Sequence, residues 1–412
     1  MTHSLFFTSS DEAIEHLIKE ETSRQREHLI LMAGENYSSQ AVLSALGSSL
    51  ANKYAEGYPG HRLHADCEVV DKVEGLAIDR AKVLFEAEYV NVQPYSGTSA
   101  LLAAYWVLLQ PGDSVLSMST ASGGHFSQGS PVNISGTIFD FIHYGTRSDS
   151  GLLDYDAVLD LARKVRPRAI VCGANAYPRT IDYEAFRMIA DSVGAYLIVD
   201  CCPTTGLIAG GALSSPIRYA DVVAAASHKT LRGPKGGFLL SGADFAESLS
   251  AAVYPFFQGG PHMNTIAAKA VAFHEAESGE FRSYAKQTVS NAHILASTLI
   301  EEGFPVVTGG TDNHLVIVDT TRFDASAISV RARCLSSGIA VDVVEIPKSR
   351  NSEGGAGLRI GTAAVTTLGM KENEMEIIGR ILGSLIRNET RSKAAEVSEI
   401  MAAFSRPGQN AL

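Results

Sequence analysis

VVAAASHKTLRGPKGGFLLS, residues 222–241, decides how this chain is read. Val222–Ala226 is a short apolar run of the kind that forms a strand buried on both faces, and Gly237–Ser241 reads as a second strand. Between them Lys229 follows small residues and precedes a turn rich in Gly and Pro. A lysine at a strand end among small neighbours is partly desolvated, which lowers its pKa and readies it to form a Schiff base with an aldehyde cofactor. Taken alone, the plainer alternative is a solvated loop lysine.

Working outward, two features change that balance. Asp200 ends the apolar run YLIVD (196–200), placing a carboxylate at the carboxyl edge of a parallel strand, where ligands of such sheets bind. There it can pair with a pyridinium nitrogen and make that ring an electron sink. Tyr95-Ser96-Gly97-Thr98 lies between a strand and a helix, so its hydroxyls and N–H groups form a phosphate cradle at a helix N-terminus. Cradle, carboxylate and lysine, in that order within one α/β unit, together specify pyridoxal 5′-phosphate.

The surroundings fit an α/β enzyme. YVNVQ (89–93), SVLSM (114–118) and AIVCG (169–173) are further strand candidates, and helical segments such as 67–86 and 99–109 accompany them. Such alternation indicates a mostly parallel sheet covered on both faces. An N-terminal helix is expected over 9–30, capped by Ser9 or Ser10. The pattern is continuously helical from about 263 to 302. A smaller α/β unit follows, with LVIVDTT (315–321), a helix around 325–336, IAVDVV (339–344), LRIGTAA (358–364) and a helix over about 371–387. Residues 388–412 read as a polar, partly frayed tail.

Composition narrows the function classes. Of 412 residues, 45% are hydrophobic and 19% charged, so a sizeable core is expected and general disorder is excluded. Lys plus Arg is 34 against 45 for Asp plus Glu, a net charge of −11 that argues against a phosphate-backbone binder. The five cysteines, two of them adjacent, show neither a disulfide framework nor a zinc spacing. No secretory leader is read at the N-terminus and no apolar run suffices for a membrane span, so a cytoplasmic enzyme is expected, with no nucleic-acid or membrane partner.

Longer motifs carry a family likeness. GENYSS (34–39), ANKYAEGYPGHR (51–62), VQPYSGTSA (92–100), GGHFSQGSPVNISG (123–136), SHKTLRGPKGG (227–237), FQGGP (257–261), TGGTDNHLVIVD (308–319) and LRIGTAAVTTLG (358–369) resemble serine hydroxymethyltransferases. The resemblance implies a fold-type I pyridoxal-phosphate transferase. Its large domain has a mostly parallel sheet of the seven-stranded type, and a smaller C-terminal α/β domain follows. The expected division is an N-terminal arm over 1–30, a cofactor domain over 31–275, and a linking helix with the small domain over 276–412.

It also implies roles. Lys229 would carry the cofactor covalently, flanked by His228 and with Ser227 near the phosphate. Asp200 would pair with the ring nitrogen, and His125 would stack on the ring. Ser96, Gly97 and Thr98 would hold the phosphate, helped by Tyr54 and the Gly259-Gly260 turn of a partner subunit, so a homodimer or a tetramer is expected. Arg359 would bind the substrate carboxylate as a bidentate fork. Glu56 would handle the proton of the substrate hydroxyl. No metal is expected.

Departures from the family pattern point to the reaction. Leu63-His64 replaces two tyrosines, exchanging an active-site phenol for a group that titrates near neutrality. Pro203 stands where the family has a histidine, and Asn175, in place of a serine, can supply the missing donor to the cofactor and lie near the substrate. Gly34 replaces a serine that helps hold the substrate carboxylate, and Lys235 replaces an arginine. On the folate side, an Asn-Lys-Asn segment becomes VDVVEIPKSRNSEGG (341–355), and leucines flanking the pterin become Thr120 and Phe126. Each buried polar edge left unpaired costs about 1–3 kcal/mol, so tetrahydrofolate is not expected to bind well. Retained glycine chemistry without folate resembles the threonine transaldolases, which cleave L-threonine at Cα–Cβ and pass the glycyl unit to another aldehyde. The alternatives are a folate-dependent serine or α-methylserine hydroxymethyltransferase, and other chemistry of the same cofactor such as threonine aldol cleavage or transamination. From another class, a silent paralogue serving as a binding subunit would have no need of both Lys229 and Asp200.

Overall fold

The computed structural model describes residues 11–321, 323, 326–346, 355–389 and 392–404. Its largest sheet has seven strands: β1 (Tyr89–Asn91), β2 (Ser114–Met118), β3 (Asp140–Tyr144), β4 (Ala169–Cys172), β5 (Tyr196–Asp200), β6 (Val222–Ala226) and β7 (Gly237–Ser241). They lie in the order β1-β7-β6-β5-β4-β2-β3. Strands β6, β5, β4, β2 and β3 pair in parallel, while β7 runs antiparallel to both β6 and β1. Strands β4 and β6 are buried along their whole length, as expected for uninterrupted apolar runs with both faces covered.

The longer helices are α1 (Glu12–Glu27), α2 (Glu68–Phe85), α3 (Gly97–Leu108), α4 (Tyr155–Val165), α5 (Tyr183–Val193), α6 (Met263–Ala276), α7 (Gly279–Glu301), α8 (Ala327–Ser336), α9 (Glu372–Ile386) and α10 (Ala394–Phe404). One face of the sheet packs against α2, α5 and α6 through Phe85, Phe186, Phe238 and Phe273. The other takes α3, whose Ala100, Ala103 and Ala104 share a core with Ala224 of β6. Small residues on both sides bring α3 close to the sheet, which sets its N-terminus beside the ends of β5 and β6.

A second sheet has the order β8 (Leu315–Asp319), β10 (Gly355–Gly361), β9 (Asp342–Ile346), all antiparallel. Its core includes Leu295, Leu358, Ile360 and Leu382, and it also takes Leu29 and Leu31. Leu29–Ile30 pairs in parallel with Ile339–Ala340, which ends α1 three residues earlier than the helical pattern suggested.

Other boundaries differ for local reasons. Asp11 caps α1, its carboxylate accepting from Ala13 N and Ile14 N; Ser9 and Ser10 lie outside the described residues. The helical run from 263 breaks at Glu277-Ser278, where Ser278 caps α7 through Phe281 N. Part of the supposed tail is α10, with Val397 and Met401 buried. The five cysteines are buried and free, and no helix among the described residues is long and apolar enough to cross a membrane.

Candidate active site

Loops at the carboxyl ends of β2, β4, β5 and β6 converge with the N-terminus of α3 on a cavity of about 240 Å³. Its walls are Ser96, Gly97, Thr98, His125, Ser127, Asn175, Asp200, Cys202, Pro203, Ala226, His228 and Lys229. Of the residues assigned to the cofactor from the sequence, the fold therefore gathers Ser96, Gly97, Thr98, His125, Asn175, Asp200, His228 and Lys229.

The lysine loop is held by its own polar groups. Ser227 Oγ donates to Pro234 O at 2.5 Å, and Gly233 N donates to Ser227 O at 2.7 Å, which folds 227–236 back on itself. Ser227 is fully buried in this role and is absent from the cavity wall. Asn36 Nδ2 donates to Lys229 O at 3.0 Å, and Thr230 Oγ1 donates to Pro203 O at 2.8 Å. The main chain is thus gripped on both sides of Lys229, and the side chain is left to point from a fixed base.

At the phosphate turn, Ser96 caps α3 by accepting from Ser99 N, so the N–H groups of Gly97 and Thr98 are the ones a helix start leaves without intrahelical partners. Any Cβ at Gly97 would overlap Cys202 Sγ, so only glycine lets this turn approach β5. Lys269, fully buried, supports the turn from beneath: its Nζ donates to Val92 O at 2.6 Å, Gly237 O at 2.7 Å and Pro94 O at 3.1 Å. Burial draws its pKa down to about 7. Nothing in the apolar segment around it marks Lys269 as part of the site.

Asp200 is 6% exposed, and each of its oxygens has a donor: Cys202 N to Oδ1 at 3.1 Å and Gln128 Nε2 to Oδ2 at 3.0 Å. Gln128 carries no local signal because its loop meets β5 only in the folded chain; its sole trace in the sequence is its place in GGHFSQGSP. His125 Nδ1 accepts from Ser127 N at 3.2 Å, which leaves the ring proton on Nε2. Burial lowers the His125 pKa, Lys229 and Arg359 add to that, and Asp200 opposes it. The ring is therefore neutral at pH 7. Gly123, at φ +112°, holds the start of this loop against Ala176, where a side chain has no room. Burial, then Lys229 and Lys235, brings His228 down to about 4, and its Nδ1 is buried without a partner among the described residues.

Arg359 lies in β10 opposite Asp342 of β9. Its Nη1 donates to Asn175 O at 2.9 Å and its Nη2 to Asp342 Oδ2 at 2.7 Å. Gly34 adjoins it: a Cβ there would stand 4.0 Å from Nη2. Gly34, His228 and Lys235 line a neighbouring cavity of about 350 Å³ that shares His228 with the first.

Tyr54, Glu56, His64, Gly259 and Gly260 form a separate cluster that does not line the Lys229 cavity. His64 Nε2 donates to Glu56 Oε2 at 3.0 Å, and the Tyr54 and His64 rings meet edge to face at 4.7 Å. Arg62 pins the segment by donating to Ala55 O and Gly57 O and pairing with Asp71. A Cβ at Gly259 or Gly260 would rest against Glu56 or Tyr54, and Tyr95 Oη donates to Gly260 O at 2.7 Å. Tyr54 is 59% exposed and Leu63 71%.

Residues 7–382 match the family model described as serine hydroxymethyltransferase. The chain belongs to that family. A serine hydroxymethyltransferase is a fold-type I transferase that uses pyridoxal phosphate to cleave and form Cα–Cβ bonds, and the mixed seven-stranded sheet described above is consistent with that class. The residues of the 240 Å³ cavity suit that cofactor chemically. They offer free helix N–H groups for a phosphate, a buried two-donor carboxylate for a ring nitrogen, a neutral imidazole and an amine.

At the positions that the sequence comparison set against the family's folate contacts, Thr120 Oγ1 contacts Glu345 Oε2 at 3.4 Å, Phe126 is 59% exposed, and β9 contributes Asp342, Val343, Val344 and Glu345. Residues 347–354 of the altered segment lie outside the described residues.

Proposed function

We propose that this enzyme cleaves a β-hydroxy-α-amino acid, L-threonine in the leading reading, and transfers its glycyl unit to a second aldehyde without folate. One observation carries the reading. The lysine, carboxylate and imidazole of glycine chemistry line one cavity and the arginine is bonded to the Asn175 carbonyl of its wall, while β9 presents two valines and two carboxylates where the family has amides and a lysine.

Pyridoxal phosphate, when bound, supplies the electron sink for breaking a bond at Cα. Lys229 would hold it covalently, Gly97 and Thr98 would hold its phosphate, Asp200 would keep a proton on its ring nitrogen, and His125 would cover its face. Ser227 would act on the phosphate only through the loop it folds. Arg359 would fix the substrate carboxylate and so orient the bond to be cleaved. Glu56, with His64 hydrogen-bonded to it, would take the proton from the substrate hydroxyl and return it to the product alkoxide. These two lie outside the Lys229 cavity of their own chain, so the active unit we propose is a homodimer or larger assembly in which each site borrows Tyr54, Glu56, His64 and the Gly259-Gly260 turn from a partner. Phe126 offers an apolar wall beside His125 for an aromatic acceptor.

The test is product analysis after incubating the pyridoxal-phosphate-loaded enzyme with L-threonine and an aromatic aldehyde, with and without tetrahydrofolate. A new β-hydroxy amino acid formed without folate is expected. Strictly folate-dependent exchange between serine, or α-methylserine, and its shorter product would replace this reading with the hydroxymethyltransferase one. Glycine and acetaldehyde alone would indicate an aldolase, and a 2-oxo acid a transaminase. With Lys229→Ala, borohydride should no longer fix the cofactor to the protein.

A further inference from the structure

We propose that Asp342 is a specificity-determining residue: it occupies one limb of the Arg359 fork as an internal carboxylate and so weakens the grip on a free α-carboxylate relative to a neutral α-carboxyl group. The inference rests on the reading that Arg359 receives the substrate carboxylate.

The geometry is specific. Arg359 is 9% exposed and stands in the middle strand of the small sheet, between Ile317 of β8 and Asp342 of β9. Its Nη2 donates to Asp342 Oδ2 at 2.7 Å, its Nη1 is taken by the Asn175 carbonyl, and its Nε is buried with no partner among the described residues. An arriving carboxylate therefore meets a guanidinium whose charge is already matched and whose two Nη groups already have acceptors. It must also sit close to the Asp342 carboxylate, and like charges brought together out of water repel.

Two neighbours add no side-chain donor. Gly34 places no side chain beside Nη2; a Cβ there would make only ordinary contact with it at 4.0 Å, and no positive φ requires glycine. Pro203 lines the adjoining cavity without an N–H to donate. A neutral amide or ester carbonyl, by contrast, brings no charge for Asp342 to repel and gains nothing from a bare cation. The pair Asp342–Arg359 thus favours neutral carboxyl derivatives relative to what an unpaired arginine would allow.

The experiment uses the pyridoxal-phosphate-loaded enzyme and two probes, glycine and glycinamide, titrated separately while cofactor absorbance is followed. In Asp342→Asn, which keeps size and hydrogen bonding, glycine should bind about tenfold more tightly while glycinamide changes by less than about twofold. Asp342→Ser should move the glycine-to-glycinamide ratio in the same direction, which guards against a folding defect in one variant. If Asp342 merely orients Arg359, glycine binding will weaken or both probes will shift together, and the proposal is overturned. A wild-type enzyme whose absorbance responds to neither probe sinks the underlying assignment of Arg359 instead, and this inference with it.

Discussion

The Gln128 side-chain amide donates to Asp200 Oδ2 at 3.0 Å, while Cys202 N donates to Oδ1 at 3.1 Å. Gln128 is 1% exposed, and the carboxylate plane is fixed from both sides by neutral donors. Gln128→Leu removes one donor from a buried carboxylate, a loss of about 1–3 kcal/mol. Equilibrium dialysis should show pyridoxal phosphate binding weakened by roughly tenfold or more. Gln128→Glu sets two carboxylates side by side, so its defect should be larger at pH 8 than at pH 6. Unchanged affinity in both variants would mean that the amide is idle.

Gly97 and Cys202 report on the phosphate turn. A Cβ at Gly97 would overlap Cys202 Sγ, with Ala226 Cβ also within contact distance. Gly97→Ala should therefore cost about 1–3 kcal/mol of stability through overpacking. Adding Cys202→Ala removes the obstructing sulfur. In urea melts the double variant should recover part of that loss, giving a coupling of at least about 0.5 kcal/mol. Strictly additive losses would show that the turn is not limited by this contact.

The strands around the site are legible in the sequence because both faces of the central strands are buried: AIVC, YLIVD and VVAAA are unbroken apolar runs. The edge strand β3 is not, since Asp140 and His143 are exposed and the alternation is imperfect. Lys229, Asp200 and the Ser96–Thr98 turn announce themselves by strand-end and helix-start positions. Gln128, Lys269 and Asp342 do not. Their importance comes from long-range pairing, with β5 for Gln128, with the ends of β1 and β7 for Lys269, and with β10 for Asp342. No local pattern encodes those partners.

Two buried histidines set an acid limit on stability. Burial, then Arg359, lowers His314 to about 3, and its Nε2 donates to Ala33 O at 3.3 Å; His228 falls to about 4. In the unfolded chain both titrate near 6.5, so below that pH the unfolded state takes up protons that the native state refuses. Their contribution is complete above about pH 6.5 and is lost as the pH falls toward 4, at roughly 1.4 kcal/mol per unit per group. His314→Gln should flatten the decline of the urea midpoint between pH 6.5 and 4 relative to wild type. A parallel decline in the variant would assign the acid sensitivity to carboxylates.

Glu56 and Lys229 lie in different clusters of one chain, which makes shared sites open to complementation. Glu56→Gln should impair transfer of the substrate hydroxyl proton, and Lys229→Ala should abolish cofactor attachment, so each homo-oligomer alone should be nearly inactive. A mixed dimer has one site carrying both substitutions and one carrying neither. Unfolding and refolding an equal mixture should return about a quarter of wild-type turnover, since half the dimers are mixed and each has one intact site. The same mixture assembled without exchange of subunits should stay inactive. Activity that never rises above the parents after verified exchange would place Glu56 and Lys229 in the same protomer's site, and His64 would then have to reach Lys229 by movement within its own chain.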